Sequence, residues 1–135
     1  MKRFIAIALV ACSALVLCER ATEAGAKYGG EVSIWQVTPT FTDVRGAVGS
    51  ARASADFNQY IGCYTNWAPG QTPWGYCSAV DSAGNYRSCY WTGSDFATAI
   101  SGIGPLSYID FGFGSDNRCS NLTIYNYSYD PPPVP

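Results

Sequence analysis

The sequence predicts an all-β fold: a single antiparallel β-sandwich or barrel-like domain of about seven strands with one short helix (94–101), stapled by disulfides. Three observations point there. Apolar residues alternate with polar ones, turn residues recur every eight to twelve positions, and four cysteines follow an apparent export segment. The chain has 135 residues, 47% apolar and only 13% charged, with six Cys and no His. That length suits one domain. The missing His removes Ser-His-Asp and Cys-His catalysis and the HExxH zinc site. A net charge of −2 without a basic run argues against a nucleic-acid partner.

Residues 1–26 read as a signal peptide. Lys2 and Arg3 form the positive start, Phe4 to Cys18 the apolar run, and Ala24-Gly25-Ala26 a small-residue cleavage site. The run is shorter than the ~20 residues that span a membrane. Leu9-Val10-Ala11-Cys12 and Leu15-Val16-Leu17-Cys18 each offer a partial lipidation signal, and both depart from the usual pattern. The expected location is therefore extracellular, with lipoprotein anchoring at Cys12 or Cys18 as the lesser reading and no membrane contact once the signal is gone. Residues 27–130 form the expected secreted β domain, and 131–135 a Pro-rich tail. The 109 residues after cleavage retain five basic and eight acidic side chains and nearly all the aromatics.

Taken in order, Glu31–Val37 alternates, with Val32 and Ile34 on one face and Trp35 and Val37 on the other. Ala47–Ala55 is small and polar and reads as an edge strand. Tyr60–Trp67 is a strand, and Ala68–Pro73 a loop that two prolines and a glycine keep out of a ladder. Trp74–Val80 and Asn85–Trp91 are strands joined by Asp81-Ser82-Ala83-Gly84-Asn85, which suits a type I turn with a G1 bulge. That turn pairs residue 81 with 85, sets Cys77 opposite Cys89, and brings Tyr76 beside Tyr90. In Ser94–Ser101, Ser94 is the expected cap, Phe96, Ala99 and Ile100 share a face, and Gly102 is the expected left-handed stop. Leu106–Phe113 and Cys119–Tyr129 complete the strands. Trp35 and Trp91 read as core.

Cys63, Cys77, Cys89 and Cys119 read as two bridges, Cys77–Cys89 and Cys63–Cys119, although four cysteines allow three pairings. Their spacing lacks the CxxC knuckle of a zinc site, so no metal and no cofactor is expected. The acidic residues sit mainly at turns or the helix start, where structure explains them. Asp110 is the exception, lying mid-strand beside Tyr108. No nucleophile elbow and no dinucleotide fingerprint occurs, so a non-enzyme is expected.

Two aromatic groups carry the expected function. Tyr125, Tyr127 and Tyr129 alternate on one strand and project from one face, about 6.8 Å apart. Cys119 shares their parity, which would turn them inward unless a bulge intervenes. Trp67 and Trp74 flank the loop 68–73, near Asn66 and Gln71. Aromatic faces stack on sugar rings, and amides bond hydroxyls in both directions. These seven side chains are the expected ligand-binding set, for a polysaccharide or cell-surface glycan. The alternatives are a protein-directed inhibitor or small toxin, whose interfaces use the same residues, and a structural matrix or coat subunit.

Overall fold

A computed structural model of the chain describes residues 30–126. The signal segment, the tail, Tyr127 and Tyr129 lie outside the described residues.

Seven strands and two short helices follow in the order β1 (Ser33–Thr38), β2 (Phe41–Ala47), α1 (Val48–Arg52), β3 (Tyr60–Asn66), β4 (Trp74–Val80), β5 (Tyr86–Thr92), α2 (Ser94–Ile100), β6 (Tyr108–Gly114) and β7 (Cys119–Tyr125). They form two antiparallel sheets, β1-β2-β6-β7 and β3-β4-β5. The three-stranded sheet is a local meander. The four-stranded sheet pairs β2 with β6, so the whole meander and α2 are inserted between two neighbouring strands. All-β architecture with disulfides is thus the fold observed.

The core lies between the sheets. Ile61, Cys77, Ala79, Cys89 and Trp91 meet Val44, Ile109, Phe111 and Phe113 from the other side. Trp91 is its largest fully buried side chain and stacks on Phe96 of α2, with ring centroids 5.8 Å apart. Gly75 faces Trp91 across the ladder. A Cβ there would meet Trp91 Cζ2 at 2.7 Å and the Tyr64 carbonyl closer still, so only glycine fits under the indole.

The Asp81–Asn85 turn forms as its residues dictate. Gly84 takes φ +82°, its N–H donates to Asp81 O (3.0 Å), and Asp81 N–H donates to Asn85 O (3.2 Å). Asp81 Oδ1 accepts from the N–H groups of Ala83 and Asn85, and Oδ2 from Asn85 Nδ2. The expected register follows, with Cys77 opposite Cys89 and Tyr76 opposite Tyr90.

The expected disulfides do not. The bridges are Cys63–Cys77 and Cys89–Cys119. Antiparallel pairs alternate between hydrogen-bonded, wider pairs and non-bonded, narrower ones. The Asp81–Asn85 bond fixes the alternation, so residues 79/87 and 77/89 are wide pairs. A central-strand residue points both backbone groups to one neighbour, so the narrow partner of Cys77 is Cys63, with Cα atoms 4.0 Å apart. Cys89 is left for Cys119, which a short parallel bridge between Tyr90 and Arg118 brings alongside. Loop-closure entropy assigns the two bridges about 3 and 3.6 kcal/mol.

Three further expectations need correction. Ala47–Ala55 is no edge strand. Its small residues instead let Val48–Arg52 coil into α1 against β3, with Gly49 and Ala51 buried. The neighbouring strand is Phe41–Ala47, with Val44 and Gly46 inward and Asp43 and Arg45 outward. Around α2, Gly93 (φ +117°) occupies the cap position and Ser94 is already helical, while Gly102 lacks the expected positive φ. Trp35 is not core. It lies half-buried on the outer face of the four-stranded sheet, with Arg45 Cζ 4.0 Å from its ring centre.

Candidate functional site: an aromatic sheet face

The cysteines decide which way the three-stranded sheet faces. Cys63, Cys77 and Cys89 point into the molecule, so the even-numbered residues of β3, β4 and β5 point out. Register arranges those twelve outward positions in four rows across the strands. Asn66, Trp74 and Thr92 form the first. Tyr64, Tyr76 and Tyr90 form the second, Gly62, Ser78 and Ser88 the third, and Tyr60, Val80 and Tyr86 the fourth. Six of the twelve are aromatic and none is charged. Each of the six rings is 44–52% exposed.

The Tyr rows rise on either side of a low floor. They are four residues apart along the strand, or about 14 Å. Between them the floor is Gly62, Ser78 and Ser88. At its β5 end the trough deepens into an open depression of about 540 Å³, bounded by Tyr76, Tyr86 and Tyr90 over Ser88. The rings also brace one another. Tyr64 stacks on Tyr76 at 5.2 Å between centroids and meets Trp74 edge-on at 6.2 Å. Asn66 Nδ2 donates to Tyr64 Oη at 3.2 Å. Such a face presents flat π surfaces for stacking, rimmed by hydroxyl and amide groups, without a fixed charge.

The structure divides the expected binding residues. Asn66 and Trp74 are cross-strand partners at the top of this face. Trp67, 66% exposed, begins the adjoining loop. Gln71 is exposed at the tip of that loop, where its N–H donates to Ala68 O at 3.1 Å. Tyr125 belongs to the other sheet. A bulge near Ser120 turns Cys119 inward and Tyr125 outward, and the Tyr125 ring lies half-buried, edge-on to Tyr108 at 6.1 Å. Tyr127 and Tyr129 lie outside the described residues. The residues missed were Tyr60, Tyr64, Tyr76, Tyr86 and Tyr90 as one surface. The parity of the three cysteines was the signal that could have found them.

The outer face of the four-stranded sheet differs in kind. Register brings Asp110 beside Arg45 and places Asp43 two residues along the same face. Arg45 Nη2 donates to Asp43 Oδ2 at 2.7 Å, and Arg45 Nε lies 3.7 Å from Asp110 Oδ2, an ion-pair contact beyond hydrogen-bond reach. Burial, and then the neighbouring Asp43 carboxylate, push the Asp110 carboxyl above the usual carboxylate range against the pull of Arg45. Asp81 spends both carboxylate oxygens on its own turn. Among the described residues no three His, Cys, Asp or Glu side chains are placed to hold a metal, and no helix is long and apolar enough to cross a membrane.

Comparison with protein-family models, with curated proteins and with solved structures finds no match to this chain.

Proposed function

We propose that this protein is a secreted, non-catalytic module that binds glycans on the outward face of β3-β4-β5. One observation carries the reading: six exposed aromatic rings and no charge on the twelve outward positions of one sheet. Those twelve outward positions carry none of the chain's charged side chains, and seven of them are exposed. Exposed aromatic rings gathered on one face are a mark of an interaction site. Exposed rings on a sheet, spaced by serine and glycine, suit a ligand that is itself part apolar and part hydroxyl. Sugar rings have that character.

Export is supported by the sequence of residues 1–26 and by two disulfides, which persist in oxidising compartments. The test is retention of the purified 27–135 chain on insoluble cellulose, chitin, starch and peptidoglycan, together with retardation in gels cast with soluble polysaccharides. Binding to at least one is expected. Failure on all of them contradicts the reading.

A protein-directed role is the second reading, favoured by Phe57. This ring is 96% exposed and sits at φ +57°, a conformation that a bulky residue rarely adopts. The loop around it is tied down by Asp56, whose carboxylate accepts from the N–H groups of Asn58 and Gln59, from Gln59 Nε2 and from Ser54 Oγ. A rigid loop presenting one aromatic ring fits a pocket on a partner protein.

A further inference from the structure

We infer that the site continues around the β5 edge as a groove for an acidic glycan chain, with Arg87 pairing with a sugar carboxylate at the bend. The inference rests on the glycan reading above and names the ligand class.

The depression beside Tyr76, Tyr86 and Tyr90 is not closed at the sheet edge. A second open depression, of about 430 Å³, lies on the far side of that edge. Its lining includes Trp35, Gln36, Thr42 and Asn85. The two share Arg87, Phe113 and Asn117, so they meet there. A path therefore runs from the tyrosines of one sheet, over Ser88, past Arg87 and Asn117, to the indole of Trp35 on the other. A single sugar cannot fill two depressions joined end to end. A chain can, with its rings against tyrosine at one end and beside the half-buried Trp35, one face of which Arg45 covers, at the other.

The junction is built firmly. Cys89–Cys119 ties β5 to β7 beneath it. Tyr90 N–H donates to Asn117 O at 2.9 Å, and Asn117 holds φ +55° in a turn closed by its own N–H on Gly114 O at 3.1 Å. Asparagine is among the few side chains that accept that conformation. Such a groove needs little reordering on binding, which lowers the cost of holding a chain.

Charge then selects the chain. Among the described residues Arg87 is the one charged side chain lining either depression, and it lines both. No carboxylate among the described residues lines them. Three acids lie nearby: Asp81 accepts from Ala83 and Asn85 and feels the Arg87 charge, Asp116 Oδ1 accepts from Arg118 N–H at 3.1 Å, and Asp43, opposite Trp35, is paired with Arg45. Arg87 Nη1 donates to Tyr86 O at 2.8 Å, which steadies the guanidinium and leaves its other N–H groups for a ligand. A planar guanidinium pairs best with a planar carboxylate. A uronic-acid chain supplies both the ring faces that the aromatics need and the carboxylate that Arg87 needs.

The test compares sodium polygalacturonate and sodium alginate with their carboxyl-reduced forms, by affinity electrophoresis and by calorimetry. Wild-type protein is expected to bind one acidic chain at least tenfold more tightly than its reduced form, with the difference shrinking as NaCl rises. Arg87→Gln should remove that difference, bringing the acidic chain down to the affinity of the reduced one. Ser88→Trp, which fills the first depression, should weaken binding to both forms. Equal binding to acidic and reduced chains overturns the Arg87 assignment and leaves the glycan reading standing. Binding to neither, nor to the insoluble neutral polysaccharides, overturns both. Concentration-dependent dimerisation abolished by Ser88→Trp would assign the groove to a second copy of this chain and overturn the inference.

Discussion

Tryptic cleavage offers a sharp view of the disulfide framework, because the arginines fall between the bridges. Cutting after Arg52, Arg87 and Arg118 yields one peptide with both Cys63 and Cys77, a second with Cys89 and a third with Cys119. The structure requires the first to close on itself, lighter by its two thiol hydrogens, and the other two to remain joined until reduction. Either other pairing ties all three peptides into one species. The energetic counterpart is a pair of double variants. Cys63→Ala/Cys77→Ala opens a loop with separation 14 and Cys89→Ala/Cys119→Ala one with separation 30. Loop entropy makes the first variant less stable by about 3 kcal/mol and the second by about 3.6 kcal/mol in urea titration. The second should also lose more of the tie between the sheets, since Cys89–Cys119 joins β5 to β7 while Cys63–Cys77 lies within one sheet. A non-reduced digest holding all three peptides together would refute the register argument as well as the pairing, because both rest on the Asp81–Asn85 hydrogen bond.

Other outcomes follow from the core and the surface. Trp91→Ala should cost about 3–5 kcal/mol in the same titration, since the indole is fully buried between Gly75 and Phe96. Hydrogen bonds from Asn85, ahead of those from the backbone, hold the Asp81 carboxyl below its ordinary range, so its stabilising effect is full above about pH 4 and is lost as pH falls through the lowered value. Asp110 has the opposite sign. Its raised carboxyl favours the fold below the ordinary range and loses that contribution as pH rises, so Asp110→Asn should raise Tm at pH 7 and leave it unchanged near pH 3. Phe57→Asn removes no buried surface and relieves a left-handed bulky residue, so stability should rise by up to about 1 kcal/mol.

What the sequence made legible was local. Asp81 and Gly84 suffice to set a turn, and the turn sets the β4–β5 register as far as Tyr76 and Tyr90. The disulfide partner was not legible by that route alone, because opposition in register does not say which lateral neighbour is the near one. That depends on the third strand. Phe41–Ala47 was hidden for a different reason. Its outward Asp43 and Arg45 look like loop residues until Asp110, 65 or more positions away, supplies their setting on β6. Tyr125 shows how one residue can reverse a reading: the bulge near Ser120 separates its facing from that of Cys119. Of the expected binding set, Trp67, Trp74 and Asn66 lie at the edge of the aromatic face, while its centre is the Tyr64-Tyr76-Tyr90 row. That row forms only when three separate segments come into register, so no window of the chain contains it.

The glycan reading stands or falls on that row. The most direct measurement is affinity electrophoresis of wild-type protein and of Tyr64→Ala/Tyr76→Ala/Tyr90→Ala in gels cast with and without polygalacturonate, alginate or a soluble neutral glucan. Circular dichroism serves as the check that both are folded. Wild-type protein should be retarded by at least one polysaccharide, and the triple variant should bind at least about tenfold more weakly, since each exposed anchor ring is worth about 1 kcal/mol or more. A folded triple variant retarded as strongly as wild type would contradict the account.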